Sequence, residues 1–154
     1  DVTLTIVDDG PPKKMTAWDM IKKMGLESRV AFTGKLSYEA LVSIYSRKTM
    51  LVMSSLFEGF GLPAVEAMSC KTPVVSTTSG ALKEVVSEEC GILVPPKDPV
   101  ALKNGIEKLL ADKKLREKMG EKGRKWAVDN FSWPVAAKNT LDVYRQTIEE
   151  YRRS

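Results

Sequence analysis

Five short apolar runs, each followed by a stretch with helical character, constrain the fold more than any other feature of this sequence. The runs are Leu4–Val7, Val30–Thr33, Met50–Met53, Pro73–Val75 and Gly91–Val94. The intervening stretches at Met15–Met24, Tyr38–Ser46, Pro63–Cys70 and Ala81–Val86 read as helices, the second with Ser37 as N-cap and Leu41, Val42 and Tyr45 at helical spacing. Strands that are almost wholly apolar must be covered on both faces, and strands separated by helices pair in parallel. The expected architecture is therefore α/β, a Rossmann-like doubly wound parallel sheet, closed by C-terminal helices.

The last third carries only helical signals. Leu102, Ile106, Leu109 and Leu110 form one stripe behind Asp98 as cap and Pro99 in the first turn. Leu115, Met119 and Trp126 form a second. After Ser132 as cap, Ala137, Leu141, Tyr144, Ile148 and Tyr151 recur at intervals of three and four residues, a period that predicts core packing.

A length of 154 residues suffices for one domain with a hydrophobic core. No apolar run approaches the roughly 18–20 residues of a membrane span. With no histidine, the chain itself offers no His-based triad, no His metal ligand and no His general base. Cys70 and Cys90 lack metal-ligand spacing, and no Asp-x-Asp pair offers a home for a divalent ion, so no metal site is expected. From Lys97 onward, 14 Lys and Arg face 9 Asp and Glu. This basic half suits an anionic membrane surface or, more plainly, a solvated helix face. Nothing in the sequence points to nucleic acid.

Chemistry concentrates in Glu58-Gly-Phe-Gly-Leu-Pro-Ala-Val-Glu66, directly after the Met50 strand and its Ser54-Ser55 exit. Gly59 and Gly61 permit close approach to their backbone. Pro63 suits a first helical turn, and free N–H groups at a helix start attract an anion. Glu58 before the helix and Glu66 one turn inside it can both accept hydrogen bonds from hydroxyls. A ligand with an anionic middle and hydroxyls at both ends is a nucleotide sugar.

This segment resembles the Glu-x7-Glu motif of retaining glycosyltransferases of the GT-B fold, family GT4. Leu4-Thr-Ile-Val-Asp-Asp-Gly-Pro11 is similar to that family's LxIVGDGP turn, and Val30-Ala-Phe-Thr-Gly-Lys-Leu36 to its V-x-F-T-G strand. Thr72–Val85, Gly91–Pro99 and Phe131-Ser-Trp133 resemble its later blocks, so the likeness runs in order along nearly the whole chain.

The resemblance implies the following. Residues 1–154 form the donor-binding part of the C-terminal GT-B domain, a fragment that lacks the first strand of the order 3-2-1-4-5-6. That strand would lie centrally, between the strands at Leu4 and Met50. The last helix, from about residue 132, packs back on an N-terminal acceptor domain. Glu58 is the catalytic carboxylate beside the transferred sugar. Gly59, Phe60, Gly61 and Leu62 present N–H groups to the diphosphate and sugar, with Phe60 packing beneath the turn. Glu66 holds ribose hydroxyls, while Lys35 and Leu36 flank the nucleobase with Leu41 below. No cofactor and no obligatory metal are expected, and the location is cytoplasmic, with peripheral contact at the inner membrane face. Asp8-Asp9-Gly10 forms a tight turn. The family usually has Gly at the position of Lys71, where a residue after a helix often takes positive φ. Two rivals remain: a non-catalytic nucleotide-sugar-binding subunit that needs a partner chain, and an unrelated phosphate-binding fold such as a dehydrogenase. The second is disfavoured because no G-x-G-x-x-G follows the first strand.

Overall fold

The computed structural model describes residues 2–8 and 16–153, in two compact units, Asp1–Leu41 and Val42–Ser154. Asp9 and Gly10 of the expected turn, and Met15 of the first expected helix, lie outside the described residues.

In the first unit, β1 (Leu4–Ile6) leads to α1 (Thr16–Lys23), a single 3-10 turn at Glu27–Arg29, and β2 (Val30–Phe32). The two strands pair in parallel, Leu4 opposite Val30 and Ile6 opposite Phe32. Trp18 of α1 meets the ring of Phe32 edge to face at 5.5 Å, and Ile21 on the same helix is buried. Helix α2 (Tyr38–Arg47) follows, and the Ser37 hydroxyl accepts from the N–H of Ala40 at 3.3 Å, as an N-cap should.

In the second unit, β3 (Leu51–Met53), β4 (Val74–Thr77) and β5 (Gly91–Val94) form a parallel sheet in the order β3-β4-β5. Between them run α3 (Leu62–Ser69) and α4 (Leu82–Val85). The fourth apolar run extends two residues further than its sequence suggests, because Ser76 and Thr77 continue the ladder to Leu93 and Val94 while their hydroxyls bond backbone carbonyls. All four residues of β4 are buried. Among the described residues, β1 pairs with β2 alone and β3 with β4 alone.

Helices α5 (Pro99–Ala111) and α6 (Lys113–Phe131) cover this sheet. Val75, Leu109 and Met119 form their shared core with Met50, Val52, Ile92, Leu102, Ile106 and Leu115. Complete burial of a side chain such as Leu109 contributes about 1.5–3 kcal/mol. Asp98 caps α5 by accepting from Ala101 N–H at 2.8 Å, and Asp112 caps α6 by accepting from Leu115 N–H at 2.9 Å. Leu110 departs from its expected stripe and faces outward, one residue past the buried Leu109. Both cysteines are free thiols.

The expectation for the last helix needs correction. Helix α7 (Trp133–Arg153) has no buried residue, and Leu141, Tyr144, Ile148 and Tyr151 are all exposed. The period marks a continuous apolar face, not a packed one. Ser132 joins α6 and α7 in an extended conformation, and its contribution is a carbonyl that accepts from Ala136 N–H at 2.9 Å, with no side-chain cap.

The C-terminus of α3 bears out the unusual conformation expected at Lys71, whose φ is +61°. Lys71 N–H bonds Met68 O and Thr72 N–H bonds Ala67 O, both at 2.9 Å. These two bonds define a Schellman motif with lysine in the position that glycine normally takes.

Candidate functional site

The Glu58–Glu66 segment spans the turn between β3 and α3. Its helix begins at Leu62, with Gly61 as N-cap in a left-handed conformation, φ +96° and ψ +40°. Pro63 is thus the second helical residue. A side chain at Gly61 would also strike Leu82, whose Cδ2 lies 2.8 Å from the site of a β-carbon. The sharp turn at Gly61 changes which donors are free. Its carbonyl takes the N–H groups of Ala64 at 2.9 Å and Val65 at 3.3 Å. Among the described residues, no protein acceptor takes the N–H of Gly59, Phe60, Gly61 or Leu62. The free donors therefore lie in the glycine turn and the first helical residue, one step earlier than an ordinary helix start provides.

Glu58 is half-buried and held from two sides. Its Oε2 accepts from the Ser55 hydroxyl at 3.3 Å. Its carbonyl accepts from Ala81 N–H at 3.1 Å. Gly80, at φ +56°, lies so close that a β-carbon there would come 2.1 Å from that same carbonyl oxygen. The turn after β4 therefore clamps the backbone of Glu58. Beside it, Ser79 is 6% exposed, and its hydroxyl is buried without a partner among the described residues.

Glu66 sits on α3 with its Oε2 accepting from the Tyr45 hydroxyl at 3.2 Å. Tyr45 is 8% exposed. Burial, then the adjacent Glu66 carboxylate, pushes its phenol well above the ordinary tyrosine range, so it stays a donor. Sequence reasoning placed Tyr45 only as a core position of α2. Its helical spacing carries no sign of a hydroxyl partner 21 residues away.

Phe60 is 46% exposed, and its ring meets Phe131 edge to face at 5.9 Å. Phe131 in turn contacts Trp126, whose indole N–H donates to Val85 O at 2.9 Å. An aromatic chain thus fastens the turn to the end of α6. Leu62 is exposed, and Gly59 faces open space. Lys35, Leu36 and Leu41 belong to the first unit. Lys35 is exposed on the bend after β2, and Leu36 and Leu41 are partly buried. Among the described residues, no helix is long and apolar enough to cross a membrane.

The family described as glycosyl transferases group 1 matches residues 1–126. An MMP alpha-(1->4)-mannosyltransferase from Mycolicibacterium hassiacum is 37% identical over an alignment 154 positions long, gaps included, that covers 96% of this chain and 36% of that enzyme. Sucrose-phosphate synthase from Thermosynechococcus elongatus superposes with a TM-score of 0.86 at 34% identity, over 96% of this chain and 39% of that one. HepE from Anabaena, solved in complex with UDP-glucose, gives 0.81 at 26% identity, over 95% of this chain and 41% of that one. The chain therefore spans well under half the length of these relatives.

Proposed function

The chain belongs to the group 1 glycosyl transferases, and from that premise we propose that it forms the donor-binding part of an enzyme that transfers a sugar, with retention, from a nucleotide diphosphate. The observation that carries the proposal is the row of four N–H groups at Gly59–Leu62 that no protein acceptor takes among the described residues, bracketed in sequence by Glu58 and Glu66. A row of backbone donors suits a diphosphate, whose negative charge grows as the glycosidic bond breaks. The two carboxylates suit hydroxyls on either side of that diphosphate.

In this reading Glu58 faces the transferred sugar, where its negative charge stabilises an oxocarbenium-like centre. Glu66 accepts from ribose hydroxyls, each charged hydrogen bond contributing about 1.5–3 kcal/mol. Gly59 admits the ligand where a side chain would stand. Lys35, Leu36 and Leu41 are assigned to the nucleobase, and the acceptor to an N-terminal domain against which α7 packs. Stabilisation of the diphosphate by N–H groups, without an obligatory metal, belongs to the same proposal, as does a cytoplasmic location with peripheral membrane contact. The UDP-glucose bound by HepE supports the donor class.

The test is a titration of the full-length protein with a panel of uridine, guanosine and adenosine diphosphate sugars, followed by product analysis with the preferred donor. Binding of one donor in the micromolar range and an α-linked product from an α-linked donor are expected. No binding across the panel, or an inverted product, overturns the proposal.

A further inference from the structure

Two threonines bracket β4, and each starts a hydrogen-bond relay that ends on one of the two candidate carboxylates. At the C-terminal end, Thr77 Oγ1 donates to Ser55 O at 2.7 Å, and Ser55 Oγ donates to Glu58 Oε2 at 3.3 Å. Just before the strand, Thr72 Oγ1 donates to Tyr45 O at 2.6 Å, and Tyr45 Oη donates to Glu66 Oε2 at 3.2 Å. Thr72 and Thr77 are each 3% exposed, so neither hydroxyl has water as an easy alternative partner. In both relays the threonine fixes a backbone carbonyl, and the residue that carries this carbonyl uses its own hydroxyl to hold the carboxylate.

We propose that Tyr45 and Ser55 are positioning residues for Glu66 and Glu58, and that Thr72 and Thr77 lock them to the two ends of one buried strand. This deepens the donor-site reading above and rests on it. The physical argument concerns rotamers. A glutamate has three side-chain torsions, and confining them on ligand binding costs free energy that a fixed neighbouring donor has already met. A single hydrogen bond from a buried phenol leaves the other carboxylate oxygen directed at the ligand. With a free hydroxyl in place of a held one, the carboxylate would sample orientations that cannot accept from ribose or face the sugar.

The consequence is a split that a purely structural role would not produce. In the full-length protein, Tyr45→Phe should raise the dissociation constant for uridine diphosphate glucose or guanosine diphosphate mannose, whichever the wild type binds, by about 5- to 10-fold. Its kcat should change by less than about 2-fold. Ser55→Ala should do the reverse, lowering kcat about 5- to 10-fold with little change in affinity. The decisive readout is coupling. In a Glu66→Gln background Tyr45→Phe should lose most of its effect, and in a Glu58→Gln background Ser55→Ala should lose most of its own. Should Tyr45→Phe fail to fold, Thr72→Val carries the same test, with a smaller shift in the same direction.

Donor binding by the wild type with Tyr45→Phe and Ser55→Ala indistinguishable from it overturns the inference and leaves the donor-site reading standing. So do effects of these variants that persist undiminished in the glutamine backgrounds. Absence of binding by the wild type to either sugar nucleotide or to the rest of the donor panel overturns the reading itself, and the inference with it.

Discussion

Gly120 of α6 lies against the backbone of Lys71, so close that a β-carbon on Gly120 would come 2.2 Å from the Lys71 carbonyl oxygen. Lys71 is also the residue held at φ +61°. One position thus bears a strained conformation because α3 must turn sharply there to enter β4 beneath α6. Its ammonium group reaches Glu121 at 2.8 Å, an exposed ion pair of small energetic weight. Lys71→Gly should therefore raise stability by about 0.5–1 kcal/mol, through relief of the left-handed conformation. Gly120→Ala should cost at least about 2 kcal/mol, because backbone and not a flexible side chain stands in the way. Urea unfolding of both variants checks this, and equal effects of the two would contradict it.

The two carboxylates should separate kinetically. Glu66→Gln in the full-length protein is expected to raise KM for the donor by about 10-fold or more, with kcat nearly unchanged. Glu58→Gln is expected to lower kcat by about 100-fold or more, with a modest change in KM. Steady-state kinetics with varied donor decides it. Both substitutions acting on KM alone would refute the division of roles.

Gly59 and Gly80 should respond oppositely to the same methyl group. A β-carbon on Gly59 meets nothing within 4 Å, so Gly59→Ala should leave stability within about 0.5 kcal/mol while weakening donor affinity several-fold. A β-carbon on Gly80 meets Glu58 O at 2.1 Å from a left-handed backbone, so Gly80→Ala should destabilise by about 2 kcal/mol or more. Thermal unfolding with donor titration distinguishes them. An unstable Gly59→Ala variant would show that the turn needs glycine for its own fold.

Alkaline pH supplies a further test. The Tyr45 phenol is held above its ordinary range by burial first and by Glu66 second. A group whose folded pKa is raised contributes stability that is fully present below its unfolded value, about 10 for tyrosine. That contribution is lost as pH rises from there through the folded value. Stability should therefore fall more steeply above about pH 10 in the wild type than in Tyr45→Phe. Phenolate absorbance of the folded wild type and the variant should agree at pH 11, since Tyr45 ionises only on unfolding. A larger native phenolate signal in the wild type would sink the claim.

The strands were the most legible part of this chain. Apolar runs with no polar alternation located all five strands of the described residues to within two residues or so, although only β4 is buried along its whole length. The Glu-x7-Glu segment was legible as a unit because its glycines, proline and carboxylates sit together in sequence. What escaped was every feature held by a side chain from elsewhere. Tyr45 reads as one more apolar position on α2, because helical spacing reports a buried face and not what the phenol oxygen meets. Thr72 and Thr77 read as ordinary flanks of a strand. The face of α7 escaped for a different reason: periodicity reveals an apolar stripe but not whether a partner covers it. At Leu62–Pro63 the sequence pointed to proline as the opening residue. With the left-handed Gly61 as N-cap, the helix starts one residue earlier, at Leu62.

The two threonines at the ends of β4 give the second unit a gauge in place of a hinge. Both carboxylates take their reference from the same strand, which is buried along its whole length and cannot lengthen. Moving one carboxylate relative to the other then means breaking the strand or abandoning an anchor. A homologue suited to a larger or smaller sugar would keep that gauge fixed and make its adjustment in the open space beside Gly59, where an added β-carbon meets no protein atom within 4 Å.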